Sequence, residues 1–241
     1  MRAMILAAGL GTRLRPLTDD RPKALVEING RTLLEITLAR LRDLGISEVI
    51  VNAHHFADKL VDYLKAHDDF GMRIEVSREE VLLDTGGGLK KAAHFFLEDD
   101  EPFILHNVDV ISNIDVAQMV AFHRENDALA TLAMQDRHSS RRLLFDEQGR
   151  LCGRKVEGEE ADVVCGGRPC QPLAFCGIHV ISRRIFSRLT EEGVFPLVPA
   201  YLRLAGQGEK LMAFRADEYY WRDLGTVESL RRAAEEIAQC G

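Results

Sequence analysis

An apolar run, Met4-Ile5-Leu6-Ala7-Ala8, opens directly onto Gly9-Leu10-Gly11-Thr12-Arg13-Leu14-Arg15, and Arg21-Pro22-Lys23-Ala24-Leu25-Val26 follows soon after. A short buried strand that ends in glycines leaves backbone N–H groups free to close on an anion. Arg13, Arg15 and Lys23 gather positive charge beside them. The chemistry suggested is phosphate binding, and three readings can be tested by the letters. A dinucleotide fingerprint needs Gly-x-Gly-x-x-Gly, but Leu14 stands where the third glycine belongs. A P-loop needs Gly-Lys followed by Ser or Thr, which is absent. An ordinary strand-to-helix turn has no need of three cations close by.

Around that stretch, strand-like and helix-like runs alternate through the first half of the chain, as in a parallel sheet with helices on its faces. Thr32 caps a helix, Glu35 completes a capping box, Leu33, Leu34, Leu38, Leu41 and Leu44 form its stripe, and Gly45 ends it. Glu48 to Asn52 is a second strand, Phe56 to Leu64 a second helix and Met72 to Val76 a third strand. Gly86-Gly87-Gly88 reads as loop or as closely approached backbone, with a helix following through Lys90, Ala93 and Phe96. Pro102 to His106 is a fourth strand that delivers Asn107-Val108-Asp109 to its C-terminal end, the edge where open α/β sheets bind ligands. Asp115 begins another helix, and Leu129 to Met134 is another strand.

The alternation then stops. Leu143 to Phe145 and Leu151-Cys152 read as an antiparallel hairpin, and Gly158 to Gly167 as a mobile loop. Leu173 to Ile181 is the longest late strand, with Gly177 marking a bulge or a ligand against the backbone. Helical stretches near 185–189 and 197–204, short strands at 210–214 and 220–221, a turn at 223–226 and a helix from Val227 to Ile237 close the chain. The expected fold is α/β, a Rossmann-like mixed, mostly parallel sheet flanked by helices. One domain is expected over residues 1–241, with a hairpin and loop excursion at about 139–170.

At 241 residues and 46% hydrophobic content the chain buries a large core. A net charge of −7 argues against a nucleic-acid backbone as partner and leaves small phosphates as the expected ligands. No apolar stretch approaches a membrane span and no signal-peptide pattern opens the chain, so a cytoplasmic protein with no membrane partner is expected. Cys152, Cys165, Cys170, Cys176 and Cys240 include no Cys-x-x-Cys pair and are expected as free thiols. The adjacent His54-His55 lacks a metal-ligand spacing and reads as loop.

The stretch from Leu6 to Thr18 with Arg21 to Val26 resembles the signature of the sugar-1-phosphate nucleotidyltransferases. Four further features match in order: Asp84-Thr85-Gly86-Gly87-Gly88, Asp109 at a strand end, Phe175-Cys176-Gly177-Ile178, and Trp221-Arg222-Asp223-Leu224-Gly225-Thr226. The resemblance covers essentially the whole chain. It points to the compact single-domain members, including those acting on N-acetylmuramate 1-phosphate or on mannose- and heptose-type 1-phosphates, and to the nucleotide-diphospho-sugar transferase fold.

What it implies is attack of a sugar-phosphate oxygen on the α-phosphorus of a nucleoside triphosphate, with pyrophosphate leaving. Positioning and charge neutralisation carry most of such a reaction. By the resemblance, Leu6, Ala7, Ala8, Gly9, Gly11, Thr12 and Arg13 hold the nucleotide, Arg13 grips the leaving pyrophosphate, and Lys23 lies against the reacting phosphates. Gly86 and Gly87 admit the base to the backbone, and Asn107 belongs to the same nucleotide site. Asn52 either assists there or forms a turn. Magnesium binds through one or two carboxylates together with substrate phosphates, and Asp109 and Asp223 are the expected ligands, with Asp109 counted as catalytic alongside Arg13 and Lys23. Gly177, Asp115 and Arg142 are assigned to the sugar, although Arg141-Arg142 also reads as a solvated face. Two departures stand out: Val108 replaces the usual glycine before the first aspartate, and Arg154-Lys155-Val156-Glu157 lacks the proline of a Glu-Lys-Pro stretch, leaving Lys155 as a substitute. A phosphocholine cytidylyltransferase, which shares the opening motif, and a catalytically silent nucleotide-sugar-sensing subunit are the alternatives. Base, sugar and oligomeric state are not legible.

Overall fold

The computed structural model describes residues 1–98, 100–165 and 170–240, with side chains taken as far as Glu236. Strand β1 (Ala3–Leu6) sits between β4 (Glu48–Ala53) and β6 (Phe103–Asn107), parallel to both, and β5 (Arg73–Arg78) extends β4 in the same sense. Strands buried on both faces need apolar side chains at successive positions. Met4, Leu105 and Phe103 accordingly enter one core cluster while Ile5 and Ile104 enter the other. Two short strands, β2 (Glu27–Ile28) and β3 (Arg31–Thr32), pair with each other between β1 and helix α1 (Leu33–Asp43).

Local chemistry sets the ends of α1. The Thr32 hydroxyl accepts from the Glu35 N–H at 3.1 Å, whereas the Glu35 carboxylate accepts from Arg31 at 2.8 Å, so only half of the expected capping box forms. Gly45, at φ +76°, donates to Arg42 O, and Ile46 donates to Leu41 O, which is the paired bonding of a glycine-terminated helix end. Helix α2 (Ala57–Ala66) joins β4 to β5, and α3 (Asp84–Lys91) joins β5 to β6.

The glycine triplet is not loop: Gly86, Gly87 and Gly88 lie inside α3. Glycine costs about 1 kcal/mol per residue in a helix, and tertiary contact overrides that cost. The N–H groups of Gly86 and Gly87 donate to Phe195 O at 3.0 and 3.1 Å. A Cβ at Gly86 would stand 2.3 Å from the Phe195 ring, and one at Gly87 would stand 2.3 Å from Gly193 O. The close-approach reading of these glycines therefore holds. Gly87→Ala, which meets backbone rather than a movable side chain, is expected to lower the unfolding free energy by about 2–4 kcal/mol. A urea midpoint equal to wild type would contradict that contact.

After β6 the chain makes β7 (Val110–Ser112), helix α4 (Val116–Glu125), capped by the Asp115 carboxylate on the Gln118 N–H, and β8 (Ala130–Gln135). The hairpin is formed by β9 (Arg141–Phe145) and β10 (Leu151–Val156), with β11 (Asp162–Val163) added antiparallel at its edge. Gly166 and Gly167 of the expected mobile loop lie outside the described residues. Strand β12 (Gln171–Ile181) is long enough to pair antiparallel with β6, β8 and β9. The chain ends with α5 (Ile185–Arg188), α6 (Leu197–Gly206), β13 (Leu211–Arg215), β14 (Trp221–Asp223) and α7 (Val227–Cys240). One 10-stranded sheet results, in the order β11-β10-β9-β12-β6-β1-β4-β5, with β8 branching from β12 and β13 parallel to β8. Cys152 and Cys170, from β10 and the approach to β12, are paired in a disulfide, which corrects the free-thiol expectation for those two; Cys165 and Cys176 are free, and the Cys240 side chain is not described.

Three histidines lie in the interior on hydrogen-bond partners: His106 on Asn107 O (2.8 Å), His123 between Thr131 and Ser182 hydroxyls (2.9 Å each), and His179 on the Tyr201 hydroxyl (3.1 Å). Burial, the largest cause in each case, lowers His106 and His123 to about 4 and His179 to about 3. The unfolded chain then binds protons near pH 6.5 that the folded chain refuses until near pH 4. Stability is therefore complete above pH 6.5 and falls as the pH drops through that window, by up to about 1.4 kcal/mol per unit for each histidine. The melting temperature is expected to fall steadily from pH 7 to pH 4.5, and a flat profile would contradict it.

Candidate active site

The loop after β1 is fixed from behind. Asn52, buried at the end of β4, accepts from Ala7 N–H at 2.7 Å and Ala8 N–H at 3.3 Å through Oδ1. Its Nδ2 donates to Glu79 Oε1 at 2.7 Å, and Glu79 Oε2 accepts from Leu83 N–H at 2.9 Å just before α3. The N–H groups of Ala7 and Ala8 are thus committed to protein. Those from Gly9 to Arg13 donate to no acceptor among the described residues and remain available to an anion. Gly11, at φ +64°, turns the chain, and its carbonyl accepts from Thr18 Oγ1 at 2.9 Å. A Cβ there would stand 2.9 Å from Thr18 Cγ2 and 3.2 Å from Lys23 Cβ.

Lys23 begins a short 3₁₀ turn whose Ala24 and Leu25 are buried, so its backbone is anchored in the core. Its Nζ forms an ion pair with Asp109 Oδ2, with the two side chains only 12% and 15% exposed. Strands β7 and β14 form an antiparallel ribbon in which Val110 faces Asp223, and Leu224 N–H donates to Asp109 O at 2.7 Å. Two aspartates far apart in sequence are thereby brought side by side. Arg40 of α1 steadies the ribbon by donating to Ser112 and, at 2.6 Å, to Ile114 O; burial lowers it to about 10, which leaves it charged at neutral pH. Asp223 Oδ1 accepts from Gly225 N–H at 2.8 Å, and a Cβ on Gly225 would stand 2.7 Å from both Arg13 Nη2 and Asp223 Oδ1. Glycine at 225 is what lets Arg13 lie beside Asp223.

Two cavities meet at Asn107. One, of about 340 Å³, is bordered by Leu6, Ala8, Gly9, Lys23, Asn52 and Asp109, with Asp84 and Thr85 across from them. The other, of about 700 Å³, is bordered by Arg13, Arg137, Arg141, Gly177, Trp221 and Asp223. Gly177, at φ +75° in a break of the β12–β8 register, has no room for a side chain, because Val110 Cγ2 and Asn107 Nδ2 would lie 2.8 and 3.0 Å from its Cβ. Val108 is buried in the core cluster beneath the first cavity and also borders it.

Each remaining candidate has a definite place. Gly86 and Gly87 are packed on Phe195 and Gly193, and α3 meets the cavity through Asp84 and Thr85 instead. Asp115 is an exposed cap of α4, and Arg142 pairs across the hairpin with Lys155; none of the three borders either cavity. Arg141 does. Glu79 and Arg137 are part of the constellation and were not singled out by their sequence context, since neither stands in a distinctive run.

The donor set suits a hard divalent cation. Asp109 Oδ1 and Asp223 Oδ2 accept no hydrogen bond among the described residues. Two carboxylates match the way magnesium is shared between protein and phosphates, and among the described residues no group of three or more His, Cys, Asp or Glu is placed to hold a metal. No helix of the described residues is long and apolar enough to cross a membrane.

The sequence profile of the nucleotidyl transferase family matches residues 2–143. The chain is 33% identical to the N-acetylmuramate alpha-1-phosphate uridylyltransferase of Caulobacter vibrioides over 98% of this chain and 97% of that protein. It is 29% identical to the mannose-1-phosphate guanylyltransferase of Mycobacterium tuberculosis over 98% of this chain and 64% of that longer protein. Among solved structures, HddC from Yersinia pseudotuberculosis in complex with GMP-PN superposes with a TM-score of 0.78 at 22% identity, covering 98% of this chain and 99% of that one. A UDP-glucose pyrophosphorylase complexed with UDP-glucose gives 0.77 at 18% identity, covering 100% and 99%. These structures share the mixed, mostly parallel sheet flanked by helices. With the opening loop, the paired aspartates and this profile in agreement, the chain belongs to the nucleotidyl transferase family.

Proposed function

We propose that this chain, acting as one domain over residues 1–241, transfers a nucleotidyl group from a nucleoside triphosphate to a sugar 1-phosphate. The observation that carries this reading is the ribbon that sets Asp109 beside Asp223, with Lys23 on Asp109, where two cavities meet. The smaller cavity takes the nucleotide and the larger takes the sugar phosphate. The free N–H groups from Gly9 to Arg13 bind the β- and γ-phosphates, which reach out of the smaller cavity to Arg13 on the border of the larger one; Lys23 neutralises charge at the α-phosphate. A sugar-phosphate oxygen attacks the α-phosphorus, the bond from that phosphorus to the bridging oxygen breaks, and its electron pair leaves with pyrophosphate. Asp109 and Asp223 would hold Mg²⁺, which when bound neutralises the phosphate oxygens and orients them. Asn52 and Glu79 fix the loop against α3 before substrate arrives, so little reorganisation remains to be done.

The uridylyl group and N-acetylmuramate 1-phosphate are the substrate pair we assign first, on the relative that matches over nearly its full length. The test is pyrophosphate release across four nucleoside triphosphates and a panel of sugar 1-phosphates with Mg²⁺. Release should need all three components and be fastest with UTP and N-acetylmuramate 1-phosphate. Release with phosphocholine instead would overturn the sugar assignment, and binding without turnover across the panel would identify a silent sensor.

A further inference from the structure

The wall of the larger cavity contains a cation that no carboxylate among the described residues touches, Arg137, which feels the charge of Asp223 across the same cavity. Arg137 follows β8, and its guanidinium carbon lies 3.7 Å from the centroid of the Trp221 ring. Its Nη2 donates to Phe175 O at 2.7 Å, and its Nε is buried with no hydrogen-bond partner. Among the described residues no carboxylate stands at ion-pair distance from it, and the charge of Asp223 acts on it from farther off. Neighbouring Cys176 offers no charge, because burial pushes that thiol up to about 12. Trp221, two residues before Asp223 on β14, is itself pinned, its Nε1 donating to Cys176 O of β12 at 2.7 Å. A guanidinium held this rigidly and half-buried, its charge disfavoured by burial and offset only by Asp223 at a distance, gains when an anion arrives in contact with it.

Resting on the reaction proposed above, we infer that Arg137 contacts the phosphate of the acceptor and makes this cavity selective for anionic acceptors over cationic ones. Its position supports this on two counts. The cavity it borders also contains Asp223 and Gly177, so an anion on Arg137 stands next to the carboxylates rather than at the far rim. Arg137 also covers the face of Trp221, which is the surface a quaternary ammonium would otherwise occupy. Lys155, at the hairpin edge, does not border the cavity, so the phosphate anchor comes from a different element than the Glu-Lys-Pro comparison implied.

The test is Arg137→Met and Arg137→Lys in the full chain, with three readouts. The KM for the sugar 1-phosphate that is most active in the panel should rise about 10- to 100-fold in Arg137→Met, the loss expected for one charged hydrogen-bonding partner. Arg137→Lys should recover part of it. The dissociation constant of the nucleoside triphosphate should change less than about 2-fold, and the melting temperature should stay close to wild type. Equilibrium titration with inorganic phosphate, which needs no turnover, should show a site lost in Arg137→Met. An unchanged KM and unchanged phosphate binding would overturn the inference, as would a parallel loss of nucleotide binding and stability, which marks a purely structural arginine. A wild-type chain that turns over no sugar 1-phosphate yet loses phosphate binding in Arg137→Met would overturn the reaction while leaving the anion site standing.

Discussion

Asp109→Asn and Asp223→Asn are each expected to lower nucleotidyl transfer by about 10³-fold or more while leaving the fold intact. Either change keeps side-chain size and removes one negative charge at the place where phosphate charge is gathered. Loss of a charge contact worth about 4 kcal/mol in the transition state corresponds to roughly three decades of rate. The two variants should differ in stability. Asp223 is held by a backbone N–H from Gly225, which an amide oxygen also satisfies, so Asp223→Asn should melt near wild type. Asp109 is the partner of Lys23, and its loss leaves a cation 12% exposed without its carboxylate. Asp109→Asn should therefore melt lower than Asp223→Asn. Activity within tenfold of wild type in either variant, with circular dichroism unchanged, would remove the paired aspartates from the chemistry.

Asn52→Ala is expected to cost about 2–4 kcal/mol of stability and to weaken nucleotide binding with it. One amide side chain serves three partners at once: it accepts from the N–H groups of Ala7 and Ala8 and donates to Glu79, whose carboxylate in turn holds Leu83. Removing it leaves two backbone donors and a buried carboxylate oxygen unpaired, and each such group costs about 1–3 kcal/mol. The opening loop and the start of α3 both lose their fixed point, so the KM for the nucleotide should rise more than kcat falls. A urea midpoint within about 0.5 kcal/mol of wild type would show that water replaces the amide without penalty.

Much of this arrangement is legible before any coordinates. The strand opening at Met4, the Thr32 cap, the Gly45 stop and the interior Gly177 follow from local rules of periodicity, capping and backbone freedom, and each appears where those rules put it. Local pattern makes the two aspartates legible only one at a time, as strand ends; their meeting at one metal is implied by the family resemblance alone, because the β7–β14 ribbon joins residues 109 to 113 positions apart and nothing local encodes that pairing. Of the two readings open to the glycine triplet, loop or closely approached backbone, the second holds, inside a helix and through Phe195 and Gly193 arriving from a distant segment, which local sequence does not encode. Arg137 and Glu79 were missed for the same reason. Their importance lies in what surrounds them: Trp221 and Phe175 in one case, Asn52 and Leu83 in the other. Asp115 shows the converse, a residue assigned to the sugar whose place at the start of α4 is that of a helix cap.

The central claim is that this chain breaks the bond between the α- and β-phosphates and moves the nucleotidyl group onto a sugar phosphate. Label tracing tests it most directly, with parallel incubations of a nucleoside triphosphate labelled at the α- or the γ-phosphorus, a sugar 1-phosphate and Mg²⁺. The α-label should appear in a nucleoside diphosphate sugar and the γ-label in pyrophosphate, with neither product formed when the sugar 1-phosphate is left out. A γ-label recovered as inorganic phosphate, or an α-label released without a sugar acceptor, would contradict the account.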